Sequence, residues 1–396
     1  MIQPKGKSIL IISILVSLII NSCSRATNNE EKNDDIKKRL LSGGSISTSC
    51  YLDFPLNTGE PLQIKLNINN KSYLFLLDTG SEITIISKNA KCFTLEPEKT
   101  NILTKGIAGN SQKNSFAKLD PIQLKDVVIE DVYCAVTDLS HIEINGLKYD
   151  GILGENFLSN FILTIDYSRK KFTLTNIQSD NLNKGDFIPF DKNEFISGNH
   201  FYAISDNGKD IPIFIDTGID LSCTPDSFNL INHSFYNNHL ELLGINNIGI
   251  PYELGKVENL TIGNALVNDL TVVKTNKDRF LLGRDFLERS KVEIDYITKR
   301  IRFDKFMDQN TFTQVVHFSE IVIEKNSLGF IIKEIWDKSK LVQKGIRVGD
   351  HIKEINNISL SEFQSVIDLY ITLTDSRIYS ITYEREEEVS IEIKNL

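Results

Sequence analysis

Short apolar segments alternate with polar ones along most of the chain, and one such arrangement occurs twice. The apolar runs are rich in Ile, Val, Leu and Phe and are bounded by Gly and Asn, which is typical of β-strands. Residues 64–87 contain two of these strands around an Asn69-Asn70-Lys71 turn, and residues 202–225 repeat the layout around Asn207-Gly208-Lys209. The sequence therefore predicts two related, mainly β lobes.

A second pair of matching segments closes each lobe. They are Φ-Φ-Gly segments, in which Φ is a large apolar residue: Ile152-Leu153-Gly154 and Leu281-Leu282-Gly283. Each precedes a short predicted helix and a strand that ends in Ile-Asp-Tyr. These two copies stand closer together in the chain than the two turns described above, so the second lobe has the shorter middle. The boundaries that follow are 49–176 for the first lobe and 186–306 for the second, with a polar linker between them.

The first residues have the composition of a secretory signal peptide. Lys5 and Lys7 precede the apolar run 8–20, which is short for a membrane span. The placement of Cys23 resembles a bacterial lipobox, which implies cleavage of residues 1–22 and a lipid on Cys23; an ordinary signal peptide with a coincidental Cys remains the alternative. Residues 23–48 are predicted to be a flexible tether, so we expect an exported, membrane-anchored lipoprotein of the bacterial cell envelope.

Composition and charge narrow the function classes. The 396 residues are 41% hydrophobic and 24% charged, as in globular proteins, and the net charge of −9 argues against a nucleic-acid partner. The Cys and His residues lack zinc-like spacing, so we expect neither a metal nor a cofactor. If Cys23 carries lipid, four cysteines remain: Cys50, Cys92, Cys134 and Cys223. An exported protein permits disulfides, and four cysteines allow three pairings.

The candidate chemistry lies in a tripeptide that both lobes share. Asp78-Thr79-Gly80 and Asp216-Thr217-Gly218 each follow an apolar strand. Two carboxylates that meet at a lobe interface cannot both ionise, so one takes a proton from a water while the other donates a proton to a peptide carbonyl. The short hydroxylated Thr can bond across the interface, and Gly allows a sharp turn close to a carboxylate.

These motifs resemble those of retropepsin-like aspartic peptidases, with both halves fused in one chain as in pepsin-like enzymes. The resemblance covers roughly residues 50–305 and implies a bilobal pair of acid-protease-like β-barrels, an internal pseudo-dimer. It implies an aspartic endopeptidase that cleaves a peptide or protein substrate with Asp78 and Asp216 as the catalytic pair. The supporting loop residues that it implies are Thr79, Gly80, Ser81, Thr217 and Gly218.

Two features depart from the family pattern. Ser81 follows the first Gly as expected and could hydrogen-bond its carboxylate, but Ile219 stands at the matching position in the second lobe. The substrate-covering flap is assigned to the glycine-bearing segment of the first lobe, with residues 244–249 as its less clear counterpart. The flap residues are Gly106, Ile107, Ala108 and Gly109.

The C-terminal segment, 312–396, shows neither repeat. The run Ser327-Leu328-Gly329-Phe330, followed by Lys344-Gly345-Ile346 and Gly349-Asp350, resembles a PDZ domain and implies an α/β module. The resemblance implies that Ser327, Leu328, Gly329 and Phe330 bind the carboxyl terminus of a ligand peptide. A module that merely packs on the peptidase is the alternative.

Two functions remain open from the sequence. The first is a membrane-tethered aspartic endopeptidase whose PDZ-like module assists substrate or partner recognition. The second is a catalytically inactive peptide-binding or scaffold lipoprotein on the same fold, suggested mainly by Ile219. The first requires both Asp78 and Asp216, whereas the second tolerates Asn at either position.

Overall fold

The structure is a computed structural model, and its fold is mainly β. The residues that it describes are 10–11, 17–19, 35–56, 61–94, 97–105, 111–140, 142–144, 147–178, 187–190, 200–204, 208, 210–219, 222–225, 233–243, 249–257, 260–263, 265–267, 270–275, 280–287, 290–305, 321–326, 329–335, 342, 344–362, 380–385 and 388–392.

The N-terminal part and the first lobe contain seventeen described strands and two short helices, α1 (residues 35–40) and α2 (Glu155–Leu158). The strands are β1 (Leu10–Ile11), β2 (Ser17–Ile19), β3 (Ser45–Ile46), β4 (Tyr51–Pro55), β5 (Gln63–Ile68), β6 (Lys71–Leu77), β7 (Thr84–Ser87), β8 (Glu98–Lys105), β9 (Ser111–Lys118), β10 (Ile122–Leu124), β11 (Val127–Glu130), β12 (Tyr133–Thr137), β13 (Glu143–Ile144), β14 (Leu147–Lys148), β15 (Gly151–Leu153), β16 (Ile162–Asp166) and β17 (Lys171–Thr175).

The second lobe repeats this layout with twelve described strands and the helix α3 (Arg284–Leu287). The strands are β18 (Ile188–Pro189), β19 (Phe201–Ile204), β20 (Asp210–Ile215), β21 (Cys223–Pro225), β22 (His233–Leu243), β23 (Gly249–Val257), β24 (Leu260–Ile262), β25 (Ala265–Val267), β26 (Leu270–Thr275), β27 (Phe280–Leu282), β28 (Ser290–Asp295) and β29 (Arg300–Lys305).

The main sheets of the two lobes have the same strand order. The first lobe runs β8-β9-β12-β7-β15-β6-β5-β10-β11, and the second runs β22-β23-β26-β21-β27-β20-β19-β24-β25. Each strand of one sheet takes the place of its repeat in the other. In both lobes a parallel pair at the centre, β15 with β6 and β27 with β20, joins the Φ-Φ-Gly segment to the strand before Asp-Thr-Gly. The internal repeat of the sequence is therefore also a repeat of topology.

Turn residues explain why the hairpins of the first lobe close where they do. Asn69 and Asn70 both have positive φ, 52° and 61°, which is the conformation that a two-residue β-hairpin turn requires. Lys170 and its counterpart Lys299 have nearly equal positive φ, 52° and 56°, in the turns that close the last hairpin of each lobe. The local geometry is thus repeated along with the strands.

A six-stranded sheet joins the lobes, in the order β18-β29-β28-β16-β17-β4. Its central pair is antiparallel, and Thr164 lies opposite Glu293, which is its own counterpart in the repeat. A single apolar cluster extends through both lobes beside this sheet and includes Phe161, Phe172 and Phe280. The two lobes therefore share one core.

The predicted tether is wrong in its second half, because residues 35–46 are folded onto the first lobe. We call these residues the N-terminal strap. Ile36 and Leu40, one turn apart on α1, are buried against the lobe, and Ser45–Ile46 pairs with β11. Ile36 and Leu40 are the only large apolar residues in a charged helix, so the apolar pattern is too short to predict the helix.

Within the predicted signal peptide, β1 pairs with β22 and β2 pairs with β8. Of the residues described, none forms a helix that is both long enough and apolar enough to cross a membrane. Cys23 lies outside the described residues, as do residues 24–34 of the predicted tether.

The C-terminal module forms a separate antiparallel sheet with the order β30-β31-β32-β34-β35. Its strands are β30 (Ile321–Asn326), β31 (Gly329–Ile335), β32 (His351–Ile355), β33 (Ile358–Ser359), β34 (Ser380–Glu384) and β35 (Glu388–Glu392), with a 3₁₀ turn at Leu360–Glu362. Asp350 is buried and accepts hydrogen bonds from the Arg385 guanidinium and from the Arg347 N–H. This ion pair fixes the loop that precedes β32.

The four cysteines of the folded lobes are buried free thiols: Cys50, Cys92, Cys134 and Cys223. The disulfide pairings that the sequence left open are therefore not formed in this structure.

Candidate active site

The two Asp-Thr-Gly loops lie against each other at the boundary between the lobes. Asp78 follows β6 and its backbone N–H donates to the Leu153 carbonyl at 2.9 Å. Asp216 follows β20 and donates in the same way to the Leu282 carbonyl at 2.9 Å. Each Φ-Φ-Gly segment thus holds its aspartate at the end of the neighbouring parallel strand, with both aspartates fully buried.

The two threonines bind the loops to each other. The N–H of Thr79 donates to the Thr217 hydroxyl at 3.1 Å, and the N–H of Thr217 donates to the Thr79 hydroxyl at 3.0 Å. Each hydroxyl then donates to a carbonyl of the opposite lobe, Thr79 to Ile215 at 2.8 Å and Thr217 to Leu77 at 2.7 Å. These four bonds fix the position of one aspartate relative to the other.

The glycines bring each loop up to the aspartate of the other lobe. A Cβ added to Gly80 would lie 2.3 Å from Asp216 Cγ, and one added to Gly218 would lie 2.8 Å from Asp78 Cγ. The Gly80 N–H also donates to Asp78 Oδ1 at 2.8 Å, and the Gly218 N–H to Asp216 Oδ1 at 2.9 Å. Only a residue without a side chain permits this close approach of the two loops.

Burial raises the pKa of Asp78 well above its usual value, and the nearby Asp216 carboxylate raises it further. The Gly80 N–H opposes the shift because it stabilises the charged form. Asp78 Oδ2 is buried at this boundary. A carboxyl that holds its proton beside a second carboxylate is the arrangement that paired acid–base chemistry needs.

Ser81 and Ile219 do not distinguish the two aspartates in the way that the sequence suggested. The Ser81 hydroxyl donates to the Ile83 carbonyl at 2.8 Å and not to the carboxylate of Asp78, a bond that the sequence left possible. Ile219 is fully buried. Because the Ser81 side chain makes no bond to Asp78, Ile219 at the matching position does not deprive Asp216 of a hydrogen bond.

The structure also reveals a pair of braces that the sequence analysis missed. The N–H and the hydroxyl of Thr84 both donate to Asn156 Oδ1 at 2.8 Å, and the same two groups of Ser222 donate to Asp285 Oδ1 at 3.0 and 2.8 Å. The Ser222 hydroxyl also accepts from the Gly283 N–H at 3.0 Å. These bonds tie the chain after each Asp-Thr-Gly loop to the start of the helix after Φ-Φ-Gly. The sequence did contain a signal for these bonds. Thr84 and Ser222 are separated by the same number of residues as the two Asp-Thr-Gly copies. Asn156 and Asp285 are separated by the same number as the two Φ-Φ-Gly copies.

Several predicted site residues lie outside the described part of the chain. They are the flap residues Gly106, Ile107, Ala108 and Gly109, residues 244–248 of the second flap, and Ser327 and Leu328 of the predicted peptide-binding loop. Gly329, with a φ of +118°, and the buried Phe330 begin β31. In the part of the chain that is described, no group of three His, Cys, Asp or Glu side chains is placed to hold a metal ion.

A sequence model of the aspartyl protease family matches residues 64–157, which span the Asp78 loop and the Φ-Φ-Gly segment of the first lobe. No curated protein matches the chain. The match supports an aspartic-peptidase-like domain and suggests aspartic peptidase activity. The second lobe lies outside the matched range but has the same strand order and the same loop contacts.

Proposed function

We propose that the protein is an aspartic endopeptidase in which Asp78 and Asp216 activate one water molecule. The observation that carries the proposal is the reciprocal contact of the two loops, in which each glycine lies against the aspartate of the other lobe. Asp216 takes the proton of the water, which attacks the peptide carbonyl, and protonated Asp78 donates to the carbonyl oxygen. The C–N bond then breaks as the proton on Asp216 passes to the leaving amine nitrogen, and Asp78 regains a proton from the diol. The raised pKa of Asp78 supports this division of roles.

In this proposal, four residues hold the two aspartates in place: Thr79, Gly80, Thr217 and Gly218. The threonines fix the separation of the aspartates, and each glycine N–H group holds one oxygen of the carboxyl in its own loop. Ser81 supports the first loop through the Ile83 carbonyl. The substrate is a peptide or protein, because the chemistry addresses a backbone carbonyl.

The experiment is cleavage of a diverse peptide mixture by the full chain in mild detergent, from acidic to neutral pH, with the cut sites read by mass spectrometry. Asp78→Asn and Asp216→Asn should each abolish cleavage. Asp210→Asn is the matched control, since this exposed aspartate lies in β20, the strand that leads to Asp216. Cleavage that survives in either active-site variant, or none from the folded unmodified protein, rejects the proposal; peptide binding without turnover would identify a scaffold protein.

We further propose that Cys23 carries a lipid, so that the enzyme is exported and tethered to a membrane of the bacterial cell envelope. The support is the apolar run of residues 8–20 followed by Cys23. Metabolic labelling with a fatty acid should mark the unmodified protein and leave Cys23→Ser unlabelled. Label in both proteins would contradict the proposal.

The C-terminal module is proposed to be PDZ-like and to bind the carboxyl terminus of a substrate or partner. The support is Gly329 in a left-handed conformation at the start of β31, together with the Gly349-Asp350 turn that precedes β32. A peptide with a free carboxyl terminus should bind the full chain, whereas the same peptide with an amidated terminus should not. Equal binding of the two would exclude carboxylate recognition.

A further inference from the structure

The side chain of Asn156 connects the N-terminal strap to the loop that carries Asp78. Its Oδ1 accepts from the Thr84 N–H and hydroxyl at 2.8 Å, as described above, and its Nδ2 donates to the Leu40 and Tyr133 carbonyls at 2.9 Å each. Donors on one side and carbonyls on the other fix the orientation of the amide. One buried side chain thus joins three segments that are far apart in sequence.

Apolar packing brings the strap to the same place. Ile36 and Leu40 belong to a buried cluster with Leu76 and Ile83, which stand on either side of the Asp78 loop, and with Ile152 of the Φ-Φ-Gly segment. The strap therefore contacts the structure beneath the loop through side chains as well as through the Leu40 carbonyl.

The strap also fits closely on α2, the helix that contains Asn156. Gly43 has a φ of +83°, and a Cβ there would lie 2.1 Å from Ser159 Oγ. The Gly43 carbonyl accepts a hydrogen bond from the Asn160 amide. Contacts at Asn156, Ser159 and Asn160 thus hold the strap along α2 and the turn that follows it.

The second lobe has a different chemistry at the matching position. Asp285 accepts from Ser222 as Asn156 accepts from Thr84, but an ionised carboxylate has no N–H to donate to a carbonyl. At position 156, exchange of amide for carboxylate therefore removes the bonds to the Leu40 and Tyr133 carbonyls and sets a carboxylate oxygen against them, while the bonds from Thr84 can persist. The chain itself offers the substitution that separates the two roles of Asn156.

We propose that Asn156 is a positioning residue through which the docked N-terminal strap holds the Asp78 loop in its working geometry. Undocking the strap releases the Leu40 carbonyl from Nδ2, so α2 and Thr84 are less firmly held and Asp78 shifts relative to Asp216. Small displacements of a reacting group lower the rate of the chemical step more than they weaken substrate binding. This inference rests on the proposed peptidase function.

The test compares full-length variants by kcat, by KM and by amide hydrogen exchange at Thr84. Leu40→Asp undocks the strap, and Asn156→Asp removes the donor. Each should lower kcat about tenfold with little change in KM, and the double variant should be no slower than either single one, because both act through one contact. Exchange at Thr84 should rise in Leu40→Asp.

Asp285→Asn is the matched control in the second lobe. In the double variant, the fold reductions in kcat caused by Asp285→Asn and by Leu40→Asp should multiply. Asp285→Asn alone should leave the hydrogen exchange of the Thr84 amide unchanged. If Leu40→Asp does not fold, Gly43→Ala loosens the strap through its left-handed backbone and the close contact with Ser159. The inference would be overturned if the fold reductions in kcat of Leu40→Asp and Asn156→Asp multiplied in the double variant. It would also be overturned if the strap undocked and the hydrogen exchange of the Thr84 amide did not change. If the unmodified protein cleaves nothing, the peptidase proposal fails, and the exchange measurement still decides whether the strap holds the loop.

Discussion

Thr79 and Thr217 exchange hydrogen bonds across the boundary between the lobes, since the N–H of each donates to the hydroxyl of the other at 3.1 and 3.0 Å. Both side chains are nearly or fully buried, and both hydroxyls also donate to a carbonyl of the opposite lobe. The pair is therefore a closed network that neither lobe can complete alone.

Replacement of either threonine by valine keeps the shape and removes the hydroxyl. Each single variant should lose about 1–3 kcal/mol of unfolding free energy, because a buried N–H and a buried carbonyl lose their partners. Thr79→Val with Thr217→Val should cost less than the sum of the two, since both act on one network. Urea unfolding of the three variants measures this, and strict additivity would contradict a shared network.

The raised pKa of Asp78 gives the stability of the protein a definite dependence on pH. An unfolded aspartate titrates near pH 4, whereas Asp78 in the folded state titrates well above its usual value. Between these two values the folded protein binds more protons than the unfolded chain, so stability falls as the pH rises through the folded pKa. Asp78→Asn should therefore unfold at a higher temperature than the unmodified protein at neutral pH, and the difference should disappear below about pH 4.

Thermal unfolding measured from pH 3 to pH 8 tests this expectation. Asp210→Asn provides the control, because Asp210 is an exposed residue of β20. A difference between Asp78→Asn and the unmodified protein that stays constant over the range would show that Asp78 titrates normally.

Glycine at position 80 is required by the carboxyl of the other lobe. Gly80→Ala places a Cβ 2.3 Å from Asp216 Cγ, so the loops must separate and cleavage should be lost. Gly208→Ala is the control: it has a φ of +77° with nothing within 4 Å of a Cβ, so it should cost about 1 kcal/mol of stability and leave cleavage unchanged. Kinetics and urea unfolding of both variants check this. Full activity in Gly80→Ala would contradict the close approach of the loops.

Ile219 should matter for packing and not for catalysis. Ile219→Ser restores the residue type of the first lobe, but the Ser81 hydroxyl donates to the Ile83 carbonyl and not to Asp78. The variant should lose about 2–5 kcal/mol of stability, as for other truncations of a buried isoleucine, without a gain in kcat. A faster enzyme would show that the isoleucine impairs Asp216.

The buried thiols should not react until the protein unfolds. Burial raises the pKa of Cys92 to about 12, partly opposed by a hydrogen bond with Tyr73, and burial also raises the pKa of Cys134. Little thiolate is therefore present near neutral pH. A thiol reagent should label no cysteine of the folded lobes in the native protein and all four after denaturation. A fifth reactive thiol in the denatured mature protein would contradict a lipid on Cys23.

The sequence predicts the aspartyl loops well because their pattern is local and repeated. Asp-Thr-Gly after an apolar strand, with Φ-Φ-Gly further on, suffices to predict two mirrored lobes and their buried carboxyls. The braces behind the loops were missed because they join residues far apart in the chain, such as Thr84 and Asn156. Neither residue has a local context that singles it out, and only the spacing from its counterpart in the second lobe indicates it.

The sequence also could not predict the direction in which a side chain forms its hydrogen bond. Ser81 could have donated to its neighbouring carboxylate or to a backbone carbonyl, and sequence alone offers no means of choosing. The strap was taken for a tether because its helix is charged, with apolar burial restricted to Ile36 and Leu40. Both cases concern contacts that arise only when distant segments are already in place.

The pairing of β16 with β28 also bears on how such a chain arose. Thr164 faces its own counterpart Glu293, and Leu163 faces Ile294, the counterpart of Ile165. This register is self-complementary, so a gene that encoded a single lobe would yield a strand able to join the same strand of a second copy about a two-fold axis. Duplication and fusion of that gene would make the association permanent and free each half to diverge, as the amide of Asn156 and the carboxylate of Asp285 have done.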